Sequence, residues 1–174
     1  MANYTEAQIN EMLAGVARTA TVMFDGELCG EIVTQRSWEW MDNVDPQDKW
    51  RPHDNYDVEH APFVAAKKVL MRLQRLAPED CPVQCLLWVP VPTIAGKWTM
   101  IVWNGGPSRW WQWGALHMDP PAEIVRTFQT GEPQTVAPGD GEVLTVVTPV
   151  ADSLKEIVGV IEVSASRGEP IINW

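Results

Sequence analysis

The densest group of side chains able to do chemistry lies at residues 103–117, where Trp103, Arg109, Trp110, Trp111, Trp113 and His117 fall together. An indole offers a broad apolar face, a negative quadrupole that attracts cations, and one N–H donor. Several indoles around a guanidinium and an imidazole suit a cavity for a planar or cationic small molecule. The same rings equally suit packing beneath a long loop or an oligomer interface, where tryptophan is enriched. In an extended segment adjacent residues face opposite ways, so Trp111 and Trp113 can share a cavity wall while Trp110 and Trp111 cannot. Glu162 joins this set because it interrupts an apolar run. By alternation it points with Val160 and Ser164, opposite Ile161 and Val163. It either reaches into a cavity as an anion for a cationic ligand or lies on a solvated side of a sheet. The candidate ligand-binding residues are Trp103, Arg109, Trp111, Trp113, His117 and Glu162.

Other chemistries find less support. His53, Asp57 and His60 would share a helical face able to hold a divalent metal. Pro52 and Pro62 bracket them, however, and the spacing matches no zinc signature, so no metal site is expected. Cys81 and Cys85 are separated by three residues, not the two of a redox or zinc pair, and Cys29 stands apart. An odd thiol count behind a start with neither a basic nor an apolar leader segment reads as reduced, buried cysteines in a cytoplasmic chain. There is no G-x-S-x-G elbow and no phosphate-binding G-x-x-x-x-G-K-[ST] loop, and Gly105, Gly106 and Pro107 read as a turn. The expectation is a protein without catalytic residues, its cofactor, if any, left unassigned.

The elements that must position these residues follow from composition and periodicity. The chain has 174 residues, 45% of them hydrophobic and 21% charged, enough for one globular domain with a small appendage. Thirteen Lys and Arg against 23 Asp and Glu give a net charge of −10, which repels nucleic-acid phosphates and anionic membrane surfaces. No apolar stretch approaches the roughly 18 residues of a membrane span.

Thr5 and Gln8 form a capping box ahead of Ile9, Met12, Leu13, Val16 and Ala20 at helical spacing. Residues 21–34 hold β-branched residues around Asp25 and Gly26, which favours a hairpin, with a bent continuation of the helix as the alternative. Residues 36–60 read as a long acidic loop with Trp38, Trp40 and Trp50. Pro62 opens a second helix that carries Phe63, Ala66, Val69, Leu70, Leu73 and Leu76 until Pro78, with Lys67, Lys68, Arg72 and Arg75 on its wet side. Residues 83–91 and 97–103 predict an antiparallel strand pair, interrupted near Pro90 and Pro92. Asp119 caps and Pro120 starts a short helix with Ile124, Val125 and Phe128 that stops at Gly131. A short strand at residues 134–136 and a final hairpin of residues 143–150 and 157–164 complete the order. Strands joined by short turns pair antiparallel and need helical cover, which makes the fold α+β with helices packed on one face of an antiparallel sheet.

Residues 124–166 resemble the C-terminal half of a GAF domain. The resemblance rests on the turn Thr130, Gly131, Glu132, Pro133, on Pro149 near the end of a strand, and on Gly159, Val160, Ile161, Glu162, Val163 in the last strand. The helix and hairpin of residues 62–103 stand in the order of that family's first half. A second, Cache-like resemblance lies in Arg109, Trp111 and Ala115, although Gln112 and Ser164 depart from that pattern. Either likeness implies a PAS/GAF-like sensor domain over residues 61–174, with residues 1–60 as an N-terminal helix and Trp-containing extension. It also implies a small-molecule cavity on the sheet face away from the helices, and signalling to a protein partner or a second copy. The alternative from a different class is an accessory or scaffold subunit that buries Trp-rich surfaces against copies of itself or a larger assembly. A small redox enzyme using the thiols is a third.

Overall fold

The computed structural model describes residues 4–41, 58–105, 119–136 and 143–167. The first helix, α1, spans Glu6–Met23. Its capping box forms as the sequence predicts: Thr5 Oγ1 accepts the Gln8 N–H at 3.3 Å and Gln8 Oε1 accepts the Thr5 N–H at 2.9 Å. Ile9, Leu13, Val16, Ala17 and Ala20 are buried along one stripe.

The hairpin expected over residues 21–34 does not form. The helix continues to Met23, turns at Asp25 and Gly26, and is followed by α2 at Leu28–Glu31. Gly26 serves close approach here and not a hairpin turn: a Cβ on it would collide with the Ala151 carbonyl oxygen. Glu27 then fastens the turn by accepting the backbone N–H and the hydroxyl of Ser153. The expected loop of residues 36–60 is also corrected at its start, because Gln35–Met41 forms α3. Thr34 Oγ1 accepts the Ser37 N–H at 3.1 Å, a side-chain cap that the sequence reading overlooked.

Helix α4 spans His60–Gln74 and buries Phe63, Ala66, Leu70 and Leu73. Strands β1 (Gln84–Pro90) and β2 (Trp98–Trp103) follow, then α5 (Ala122–Thr130), β3 (Gln134–Val136), β4 (Val143–Ala151) and β5 (Ile157–Ser166). Gly131 ends α5 in the left-handed conformation at φ 69°, as expected of a glycine stop. Asp119 does not cap this helix. Its carboxylate pairs with Lys97 Nζ at 2.7 Å, and the helix starts after Pro121 without a side-chain cap.

The five strands form one antiparallel sheet in the order β2-β1-β5-β4-β3. The terminal hairpin of β4 and β5 is present as predicted, and its last strand lies at the centre of the sheet. Alternation along the strands separates two cores. Cys85, Leu87 and Val89 of β1, Leu144 and Val146 of β4, and Ile161, Val163 and Ala165 of β5 pack with the buried stripes of α1 and α4. Trp88, Trp98, Val147 and Val160 pack on the other side with Ile124 of α5, bordered by Leu86, Met100, Phe128 and Val136. Helices therefore cover both faces, not the single face expected. The physical reason is the patch around Trp88 and Trp98, too apolar to be left bare, which the short Ile124, Thr127 and Phe128 stripe of α5 covers. Helix α1, within the N-terminal sixty residues, is integral to the first core.

Gly159 sets how closely α2 approaches β5. A Cβ there would stand 2.9 Å from Cys29 Sγ and 3.0 Å from the Trp88 carbonyl oxygen. Replacing Gly159 by Ala is expected to overpack this contact and lower stability by about 1–3 kcal/mol. Urea unfolding followed by tryptophan fluorescence measures the change, and a midpoint equal to wild type would refute the packing account.

Candidate functional site

Glu162 lies on the α5 side of β5, opposite Ile161 and Val163, as alternation predicted. Its carboxylate is largely buried and carries two hydrogen bonds. Trp88 Nε1–H donates to Oε2 at 2.8 Å, and the Ser164 hydroxyl donates to Oε1 at 3.0 Å. Thr145 Oγ1 is 2.9 Å from Ser164 Oγ; with the Ser164 proton given to Glu162, Thr145 is the donor in that pair. Thr145 through Ser164, and Trp88 from the other side, thus direct their donors onto the Glu162 carboxylate.

Burial pushes the Glu162 carboxyl above the usual carboxylate range, and the Trp88 and Ser164 hydrogen bonds pull partly against that rise. No Lys, Arg or His among the described residues forms an ion pair with it. When Glu162 takes up a proton, the Ser164 oxygen is positioned to accept it and the hydroxyl pair can reverse its sense toward Thr145. Either charge state of the carboxyl is then accommodated by the same heavy atoms.

The cross-strand register extends this site sideways. Leu86 stands opposite Glu162 on one side and opposite Trp103 on the other, while Val147 flanks Glu162 from β4. Trp103, Leu86, Glu162 and Val147 form one row on the α5 face. A bulge between Leu87 and Trp88 lets Ile101 turn into the opposite core while Trp103 keeps this facing. Trp103 is half-buried, and its indole Nε1 is shielded from solvent with no acceptor among the described residues. A buried donor without a partner costs about 1–3 kcal/mol. Helix α5 packs mainly on β3, β4 and β5, so it covers the β4 side of this row more than the β2 side.

The end of β2 is fixed by a side chain that imitates a peptide unit. Asn104 Oδ1 accepts the Cys85 N–H at 2.9 Å and its Nδ2 donates to the Val83 carbonyl at 3.0 Å, so the amide prolongs the ladder beyond Trp103. Lys67 Nζ donates to the Gly105 carbonyl at 2.9 Å. This half-buried lysine, its ammonium disfavoured by burial, therefore leaves the solvated cation row to which the sequence reading assigned it.

Of the predicted site residues the structure brings Trp103 and Glu162 into one row. Arg109, Trp111, Trp113 and His117 lie outside the described residues, as do His53 and Asp57 of the considered metal cluster. His60 begins α4, and no group of metal-ligating side chains occurs among the described residues. The three cysteines are buried and unbridged; burial pushes the Cys29 and Cys85 thiols up to about 12 and raises Cys81, so none supplies a ready thiolate at neutral pH. Sequence reading missed Trp88 and Ser164 as partners of Glu162, and Thr145 as the donor behind Ser164. The only available signal was the shared parity of Ser164 and Glu162, since Trp88 and Thr145 become neighbours through strand pairing distant in sequence. Comparison with family models, curated proteins and solved structures finds no match.

The Glu162 carboxyl is raised in the folded chain relative to the unfolded one, so the folded state holds the proton more tightly. Its contribution to stability is present below the ordinary carboxylate range and is lost as pH rises through the folded value. Glu162→Gln, which keeps an acceptor for Trp88, is expected to flatten that decline and to be more stable than wild type above it. Urea midpoints across an acid-to-neutral pH series test this, and parallel curves for the two proteins would contradict it.

Proposed function

We propose that this chain is a non-catalytic small-molecule-binding sensor or regulatory module of GAF/PAS-like type, with its ligand held on the α5 face of the sheet beside Glu162 and Trp103. The observation that carries the reading is the Glu162 carboxylate, largely buried among indole and aliphatic groups and without a cationic partner among the described residues. A charge in such surroundings is costly unless something neutralises it. The Trp103 donor, without an acceptor among the described residues, stands in the same row. Architecture supports the reading as well: an α+β fold, a five-stranded antiparallel sheet with the terminal hairpin inside it, and the Gly131 stop leading into β3. Arg109, Trp111, Trp113 and His117 follow β2 in the chain and supply further ligand contacts in this proposal. The chain acts in the cytoplasm in this reading; no helix among the described residues is long and apolar enough to cross a membrane.

A second reading, an accessory subunit that works through a protein partner or a second copy, draws on another surface. A groove of about 560 Å³ runs between the end of α1, α2 and α4, floored by Met23, Leu28, Val64 and Val69 and edged by Lys68 and Arg72. Val22, which precedes Met23 in α1, is 86% exposed.

Native mass spectrometry of the purified chain separates the two. The sensor reading expects a retained small molecule that Trp103→Ala and Trp111→Ala each release while the chain stays folded by circular dichroism. A bare chain that assembles into oligomers, dissociated by Val22→Asp, would favour the accessory subunit instead.

A further inference from the structure

From the same row of residues we infer the ligand's class: a small organic monocation that carries a neutral hydrogen-bond acceptor at a distance from its cationic nitrogen. This rests on the reading that the α5 face binds a small molecule, and goes beyond it by naming what that molecule must offer.

Two unmet requirements stand in one cross-strand row. Glu162 is a negatively charged hydrogen-bond acceptor: each of its oxygens already takes one hydrogen bond, from Trp88 and from Ser164, and each keeps capacity for another. The second group is the Trp103 indole, a donor only, shielded and without an acceptor among the described residues. Leu86 alone separates them in the row, which places their backbones about 10 Å apart, two strand spacings. A molecule lying across Leu86 would place an ammonium or comparable cation at Glu162 and an oxygen acceptor at Trp103, with an apolar linker over the leucine side chain.

Charge selects between a neutral and an anionic acceptor. A second carboxylate on the ligand would enter a chain of net charge −10 beside a buried anion that no described cation offsets. An amide, ether or hydroxyl oxygen meets the Trp103 donor without that repulsion. The groups facing Glu162 leave it alone in controlling the charge. From β1 they are Gln84, Leu86 and Trp88, and from β4 Thr145 and Val147; the residues that α5 buries are the uncharged Ile124 and Thr127, with Glu123 half-buried and Arg126 exposed. Capture of a cation requires the ionised carboxylate, so binding strengthens as pH rises through the Glu162 titration.

The test uses the full chain and three matched series of unbranched probes with four to eight carbons, measured by isothermal titration calorimetry: ω-amino amides, alkylamines and neutral alkanamides. At least one amino amide is expected to bind ten-fold or more tightly than both of its counterparts. Glu162→Gln should remove the advantage over the alkanamide, and Trp103→Phe, which keeps a ring and deletes the N–H, should remove the advantage over the alkylamine. Cooperative thermal unfolding of both variants at or above the wild-type midpoint establishes that they fold. Alkanamides binding as well as amino amides, unchanged ratios in the variants, or no binding by any amino amide would each overturn the inference. A retained neutral or anionic molecule in native mass spectrometry would also overturn it while leaving the sensor reading in place. Absence of any small molecule, with no binding by any probe, would remove both.

Discussion

The structure depends on β5 being paired on both sides. Because β1 and β4 each zip against it, its alternation is imposed on the whole sheet, and one residue of register decides what enters each core. Ile161, Val163 and Ala165 lock the sheet to α1 and α4, while Val160, Glu162 and Ser164 face the other way. The buried carboxylate is therefore a direct result of central strand placement. On an edge strand the same glutamate would have water beside it, and β5 could not meet both Trp88 of β1 and Thr145 of β4.

Two kinds of device hold β5 in this place. One is close packing, in which Gly159 and Gly26 let α2 and the preceding turn approach the β5 backbone and the β4–β5 connection more closely than any side chain permits. The other is polar. Asp152 Oδ1 accepts the N–H groups of Leu154 and Glu156, both at 2.9 Å, and Lys155 adopts φ 65°, which shapes the connection that Glu27 grips through Ser153. The N-terminal helices are thus tied to the end of the strand whose middle carries Glu162. Along β2 the Asn104 amide and the Lys67 ammonium perform the corresponding task for Trp103, fixing where the ladder ends.

Local pattern made much of this legible. The capping box at Thr5, the glycine stop at Gly131, the strand pairs and the side of the strand on which Glu162 lies all depend on residues a few positions apart, and the structure shows each of them. What escaped was decided at a distance. Asp25 and Gly26 have the local chemistry of a hairpin turn, yet Ala151 is the reason for the glycine. Asp119 has the chemistry of a helix cap, yet Lys97 takes its carboxylate first. Helical cover on both faces was hidden because the patch that α5 protects is assembled from Trp88, Trp98, Val147 and Val160, residues of four different strands. In the candidate site the pairing of Trp103 with Leu86, and of Leu86 with Glu162, likewise arises only once β1 lies between β2 and β5.

The cysteines lead to a last consequence. All three are enclosed, and two of them hold their protons up to about pH 12. A thiol in that state is inert toward alkylating reagents until the surrounding structure parts and admits both solvent and reagent. Cys29 sits between α2 and Gly159, and Cys85 lies in the first core on β1. The molecule therefore contains built-in clocks at two depths: the rate at which each sulfur is modified reports how often the helical cover lifts and how often the sheet itself comes apart.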